Sequence, residues 1–228
     1  MEIEESASLD KPWARTLPGR VTRELLICGV FGWIIDAYSH REIAGREYLE
    51  PLEGPVIFVA NHCSHVDTPM LLRSLPARWR RRTAVAAAAD YFYTKRLLAN
   101  TVSLVFCTVP MERGARGMGT DATTDVEHLI DTGWSLVVFA EGTRSRDGRV
   151  GLMRSGAAVL AARQGVPIVP VHVSGTHEAM PPGRSWMVRP EGGGRWARHT
   201  IPVSFGAPIH VGPRADRLEV MERVRLFM

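Results

Sequence analysis

Residues 61–67 read Asn-His-Cys-Ser-His-Val-Asp and follow directly on an apolar run at 56–60. The stretch sets a potential base, His62, five positions ahead of a carboxylate, Asp67. Five residues turn an ideal helix by about 140°, so the two side chains cannot face each other inside one continuous helix. They can meet if His62 lies on a turn and Asp67 caps the helix that follows. Asp67 would then accept a hydrogen bond from one imidazole nitrogen and fix the tautomer, leaving the other nitrogen free to take a proton from a substrate hydroxyl. The same residues admit other readings. Asp67 can be an ordinary helix cap beside a structural histidine. Cys63 can be a nucleophile activated by a histidine from elsewhere in the fold. His62, His65 and Asp67 can be ligands of a hydrolytic metal, joined by His172 or His177.

A second polar turn follows another apolar run. "VFAEGTRSRDG", 138–148, places Glu141, Gly142, Thr143, Arg144 and Arg146 together. Glycine permits close backbone approach, and a threonine hydroxyl with an arginine guanidinium suits phosphate oxygens. "VPMERG" offers Arg113 after a third run, and "MRSG" offers Arg154 near a helix N-terminus, where an anion is favoured. One base and up to three cations at several strand ends point to proton abstraction beside an anionic group.

The elements that must deliver these groups can be read from periodicity. Short β-branched or aromatic runs at 56–60, 104–109, 135–140 and 167–173 predict buried strands, and the alanine-rich run 82–89 fits a further strand ambiguously. Helical patterns alternate with them: 68–75, 96–103, 122–133 ending in Gly133, and 155–165 ending in Gly165. That alternation predicts an α/β fold with a largely parallel central sheet flanked by helices, in which chemistry sits beyond the carboxyl ends of the strands. A Gly/Pro-rich stretch at 181–194 reads as an exposed excursion, and a late strand at 201–206 precedes a terminal helix from about Asp216.

The N-terminal part has its own character. "LLICGVFGWII", 25–35, is an uncharged run of 11 residues preceded by Arg15, Arg20 and Arg23. A span needs about 20 residues, so the run is too short to cross a bilayer. It suits either a membrane-associating helical segment lying at the interface or a helix buried in the core. The expected division is therefore a tail with an apolar helical segment at 1–40 and a catalytic domain at 41–228.

Composition narrows the classes. A chain of 228 residues, 45% hydrophobic and 23% charged, is globular, and a net charge of +4 with a pI near 9.3 favours anionic partners. Cys28, Cys63 and Cys107 are odd in number and scattered in apolar contexts, which predicts a reducing, intracellular compartment rather than a disulfide framework. The acidic, polar first twelve residues do not read as a cleavable signal peptide. The basic run 73–82 (RSLPARWRRR) has no nucleic-acid module around it, so it reads as a surface facing an anionic membrane, with no nucleic acid as partner.

Four blocks in order resemble the glycerolipid acyltransferase family, which includes lysophosphatidic acid and glycerol-3-phosphate acyltransferases. They are Asn61-His62-x4-Asp67, "VFCTVPMER" ending in Arg113, "FAEGTRS" at 139–145, and "VPIVPV" at 166–171, and the resemblance covers roughly residues 40–210. It implies that His62 is the general base on an acceptor hydroxyl as it attacks an acyl thioester, with Asp67 orienting it and no covalent acyl-enzyme. Arg113, Glu141, Gly142, Thr143 and Arg144 would form the acceptor's phosphate site, with Glu141 positioning the acceptor and Arg154 standing where relatives often carry lysine. The donor would be an acyl-CoA or acyl-carrier-protein thioester, with no cofactor and no metal. The acceptor would be lysophosphatidic acid or a related lysophospholipid, and the place of work the cytoplasmic face of the membrane, as a peripheral or monotopic protein. Two departures stand out: Ala140 replaces the usual proline, and an alanine run replaces the lysine common after the strand in phosphate-acceptor members. The second leaves a glycolipid or another lipid alcohol open as acceptor. A non-catalytic, membrane-associated lipid-binding protein would carry the same basic face without using His62.

Overall fold

In the computed structural model, which describes residues 11–88, 96–111 and 120–228, seven strands form one sheet. They are β1 (Ser39–Ala44), β2 (Ile57–Ala60), β3 (Thr83–Ala88), β4 (Thr108–Met111), β5 (Ser135–Phe139), β6 (Ile168–Val173) and β7 (His199–Phe205), in the order β1-β7-β6-β2-β5-β3-β4. Neighbours run parallel except β6 and β7, which are antiparallel. This is the α/β arrangement that the alternating pattern predicts.

Strand β2 shows why its sequence is a continuous apolar run. Ile57 and Val59 enter one core with Val126 and Leu129 of helix α6 (Thr120–Asp131), Leu160 of α7 (Gly156–Gln164) and Val224 of α9 (Arg217–Phe227). Phe58 and Ala60 enter the other, with Met70 and Leu71 of α3 (Asp67–Ser74). Successive side chains point to opposite faces, so a strand covered on both sides has no polar position to give. Helix α7 stops at Gly165, whose φ of 64° is the left-handed conformation glycine adopts freely. Asp216 caps α9 by accepting from the Leu218 amide at 2.8 Å.

Two boundaries differ from the sequence reading. Residues 104–106 belong to the end of helix α5 (Arg96–Phe106), and the strand expected over 104–109 starts only at Thr108. The reversal is made at Cys107, at φ 55°, whose amide is still donated to the Ser103 carbonyl. Strand β1, "SHREIA", carries no apolar run: Ser39 alone is buried, and half-buried Arg41 and Ile43 alternate with exposed residues, so its sequence gives little sign of a strand.

Residues 17–38 form α1 (Leu17–Glu24), a π-helical turn (Leu25–Val30) and α2 (Phe31–Tyr38). The segment has two faces. Ile27 and Ile35 are buried in the core, while Leu25 (67% exposed), Val30 (59%) and Trp33 (78%) face outward. Ionic contacts hold the segment down. Arg73 on α3 donates twice to Asp36, at 2.7 Å each, and Arg80 on α4 (Ala77–Arg80) donates twice to Glu24, at 2.9 and 3.0 Å. Burial alone would raise the Asp36 carboxyl, but the Arg73 hydrogen bonds and charge outweigh it and hold it below its ordinary range. Among the described residues, no helix is long and apolar enough to cross a membrane.

Candidate active site

Strands β2 and β5 are neighbours, so the turns after them lie side by side at the carboxyl edge of the sheet. Asn61 leaves β2 and clamps the end of β6: its amide donates to the Val173 carbonyl and its oxygen accepts from the Val173 amide, both at 2.8 Å. The chain then turns, and Nδ1 of His62 meets Oδ2 of the fully buried Asp67 at 2.8 Å. The same oxygen accepts from the amides of Cys63 (2.6 Å) and Ser64 (2.8 Å). An oxygen taking three donors is suited by the carboxylate form, and with Nδ1–H donated to it the free lone pair of the imidazole is on Nε2.

Asp67 performs this task without being the helix cap expected from sequence. It is the first residue of α3, and Val66 holds the cap position without a side-chain bond. The reason lies in the helix start. Pro69 has no N–H, and the Met70 amide is donated to the Val66 carbonyl, so a forward-reaching carboxylate would find few donors. Reaching backward, it finds three.

The turn after β5 grips His62 from both sides. Glu141 Oε1 accepts from the His62 amide at 2.9 Å, and the Ser145 amide donates to the His62 carbonyl at 2.7 Å. Glu141 Oε2 accepts from the Gly151 amide at 2.9 Å. Sequence reasoning places Glu141 at the acceptor; in the structure each of its oxygens accepts from a main-chain amide, and the residue is 8% exposed. The imidazole of His62 also stacks on Phe139, with ring centroids 4.1 Å apart. The sequence reading assigns no role to Asn61 or Phe139, although each is the first residue of one of the four blocks.

The cations are placed on the same turn. Gly142 has a φ of 72°, and a Cβ there would fall 2.9 Å from Arg154 Nε, so the absence of a side chain lets that guanidinium lie against the turn. The Arg154 amide is donated to the Ala140 carbonyl at 2.9 Å. Thr143 is exposed, and its hydroxyl donates to the Arg144 carbonyl at 3.3 Å. Arg144 donates to His65 Nε2. Thus His62, Asp67, Glu141, Gly142, Thr143, Arg144 and Arg154 are brought together, while Arg113 falls outside the described residues.

His62, His65, Arg144 and Arg154 all line one cavity of about 1050 Å³. Its other walls are mainly apolar, built from Phe31 of α2, Val85 and Ala86 of β3, and Val102 and Val105 of α5. The His62 imidazole and two cations therefore share a single chamber with room for a long hydrocarbon chain.

The rival chemistries fare poorly on this geometry. Burial and the neighbouring Asp67 charge push the Cys63 thiol up to about 11, the reverse of what activates a cysteine nucleophile. The ring nitrogen of His65 is engaged by a cation, Arg144. His177 packs against Gly148, and His172 lies within strand β6. Among the described residues, no three His, Cys, Asp or Glu side chains are grouped to hold a metal ion.

Comparison with known proteins gives a consistent picture. A family model described as Acyltransferase matches residues 40–174. The chain is 32% identical over 144 residues to a chloroplastic 1-acyl-sn-glycerol-3-phosphate acyltransferase of Brassica napus, covering 62% of this chain and 39% of that protein. It is 30% identical over 178 residues to a chloroplastic 1-acyl-sn-glycerol-3-phosphate acyltransferase of Arabidopsis thaliana, covering 77% of this chain and 45% of that one. The chain thus spans less than half the length of either relative. The fold is shared with the crystal structure of the 1-acyl-sn-glycerophosphate (LPA) acyltransferase, PlsC, of Thermotoga maritima. The TM-score is 0.67 at 21% identity, over 96% of this chain and 80% of that one.

Proposed function

Since this chain belongs to the Acyltransferase family, we propose that it transfers a fatty acyl group from an acyl-CoA or acyl-carrier-protein thioester to the hydroxyl of lysophosphatidic acid or a related lysophospholipid. The observation that carries this reading is the His62–Asp67 pair on the wall of a large apolar cavity that Arg144 and Arg154 also line.

The geometry supports the following roles. His62 takes the proton of the acceptor hydroxyl at Nε2, and Asp67 holds Nδ1 and offsets the imidazolium charge that develops. The hydroxyl oxygen attacks the thioester carbonyl, and collapse of the tetrahedral intermediate expels the thiolate, which recovers the proton from His62. No cofactor enters. Arg144 and Arg154 bind the acceptor's phosphate, joined by Arg113, with Gly142 and Thr143 shaping the approach. Glu141 supports the acceptor site indirectly, by fixing the main chain at His62. The acyl chain occupies the apolar part of the cavity.

The exposed row of Leu25, Val30 and Trp33, with the exposed Arg81 and Arg82 at the end of a basic run whose Arg73 and Arg80 are committed to Asp36 and Glu24, supports peripheral work at an anionic membrane surface, and we take its cytoplasmic face as the place of work. The test is thiol release from a long-chain acyl-CoA by purified protein, with and without a panel of lysophospholipids and in the presence of a chelator. Acceptor-stimulated, chelator-resistant release is expected. Chelator-sensitive release without acceptor would point to a metal hydrolase, and lipid binding without release from either class of donor would point to a binding protein.

A further inference from the structure

His65 stands in the turn between the proposed base and its carboxylate, yet the mechanism does not use it. Its ring faces the cavity, although the residue as a whole is exposed, and its Nε2 accepts from Nη1 of Arg144. An imidazole nitrogen can accept only when it carries no proton, so this contact requires neutral His65 with its hydrogen on Nδ1. The contact joins the turn after β2 to the turn after β5, from which Arg144 reaches the cavity.

We propose that His65 is a positioning residue for the acceptor's phosphate: as a neutral hydrogen-bond acceptor it holds Arg144 in the cavity wall, and its protonation releases that arginine. The inference rests on the phosphate reading of Arg144 given above. Protonation turns Nε2 into a donor and sets two cations against each other, so the same contact that orders Arg144 at neutral pH repels it in acid. Among the described residues, the titratable and charged groups facing His65 are Arg144 from the turn after β5 and His62 and Asp67 from its own side. Oδ2 of Asp67 is already taken by His62 and two amides, and Arg144 is the charged group to which His65 is hydrogen-bonded. Partial burial, with Arg144 close by, lowers the His65 pKa below its ordinary value, which favours the neutral form the contact needs.

The experiment is calorimetric binding of a short-chain lysophosphatidic acid, below its micelle-forming concentration, to the full chain from pH 5 to 8, for wild type, His65→Gln and His65→Phe. Glutamine offers a non-titrating acceptor at nearly the same reach, and phenylalanine offers none. The phosphate's own second ionisation, near pH 6, is common to all three proteins and cancels in the comparison. At pH 8, wild type and His65→Gln should bind alike, and His65→Phe about tenfold more weakly, as expected for losing the order of one charge-assisted contact. Towards the acid end of the range, below the ordinary histidine range because burial and Arg144 disfavour the proton, wild type should weaken toward the level of His65→Phe while His65→Gln stays tighter. Parallel pH curves for wild type and His65→Gln would overturn the proposal while leaving the phosphate site standing. Absence of binding by wild type at every pH would remove the phosphate site, and this inference with it. Should His65→Phe fail to fold, the wild-type and His65→Gln pair decides alone.

Discussion

Oδ2 of Asp67 lies 2.8 Å from Nδ1 of His62 and also accepts the amides of Cys63 and Ser64, so one oxygen both orients the imidazole and shapes the turn that carries it. Asp67→Asn keeps the shape but removes the charge and offers a donor in place of one acceptor. Hydrogen bonds to charged groups are worth about 1.5–3 kcal/mol, so the variant should lose unfolding free energy by an amount in that range, unfold at lower denaturant, and lose most of its turnover. Denaturant unfolding and kcat, measured together, check both halves. Full stability with full turnover would mean that the carboxylate holds neither the turn nor the base.

Glu141 offers a different dissection, because its two oxygens serve two amides 2.9 Å away, those of His62 and Gly151. In Glu141→Gln one of those amides faces an NH₂ group. Since the disturbed main chain belongs to the base, kcat should fall further than KM for the acceptor rises. A change confined to acceptor KM would return Glu141 to the direct acceptor-binding role expected from sequence.

Gly142→Ala introduces a Cβ at a φ of 72° and 2.9 Å from Arg154 Nε. Left-handed backbone costs a non-glycine residue roughly 1–2 kcal/mol, and the guanidinium must move aside. The variant should be modestly less stable and show a raised KM for phosphate-bearing acceptors, with KM for the acyl donor little changed. Steady-state kinetics with each substrate varied in turn separates the two.

Much of this site is legible in the sequence because its chemistry is concentrated at strand ends. An apolar run that stops at a polar cluster locates both turns, and the failure of His62 and Asp67 to share a helical face predicts that a turn must bring them together. What could not be read depends on contacts distant in sequence. That Asp67 reaches backward follows from Pro69 and from the amide the Met70 position has already committed, and that Glu141 serves the His62 amide follows from β2 lying beside β5. Strand β1 is hidden because of its six residues Ser39 alone is buried and Ile43 is only half-buried, leaving no apolar run to read. The start of β4 was misplaced because 104–106 is as apolar within a buried helix as within a strand, where periodicity over so few residues cannot separate the two. The N-terminal run allowed two readings for a reason now visible: Ile27 and Ile35 pack inward while Leu25 and Trp33 do not.

That outward face carries a prediction of its own. Leu25→Glu combined with Trp33→Glu alters side chains 67% and 78% exposed, so thermal stability should change little. Binding to vesicles containing anionic lipid should weaken by an order of magnitude or more, because apolar burial at about 25 cal/mol per Å² is lost from two large side chains and two like charges are brought to the surface. Vesicle co-sedimentation checks this, and unchanged sedimentation would place the membrane contact elsewhere on the protein.

The central claim is that His62 acts as the general base, and turnover by His62→Ala tests it most directly. Positioned proton transfer commonly supplies roughly 10²–10⁴ in rate, so acceptor-dependent thiol release should drop by at least that lower factor while the circular dichroism spectrum and binding of a phosphate-bearing lysophospholipid persist. A folded His62→Ala protein that transfers acyl groups within a few-fold of wild type would contradict the account.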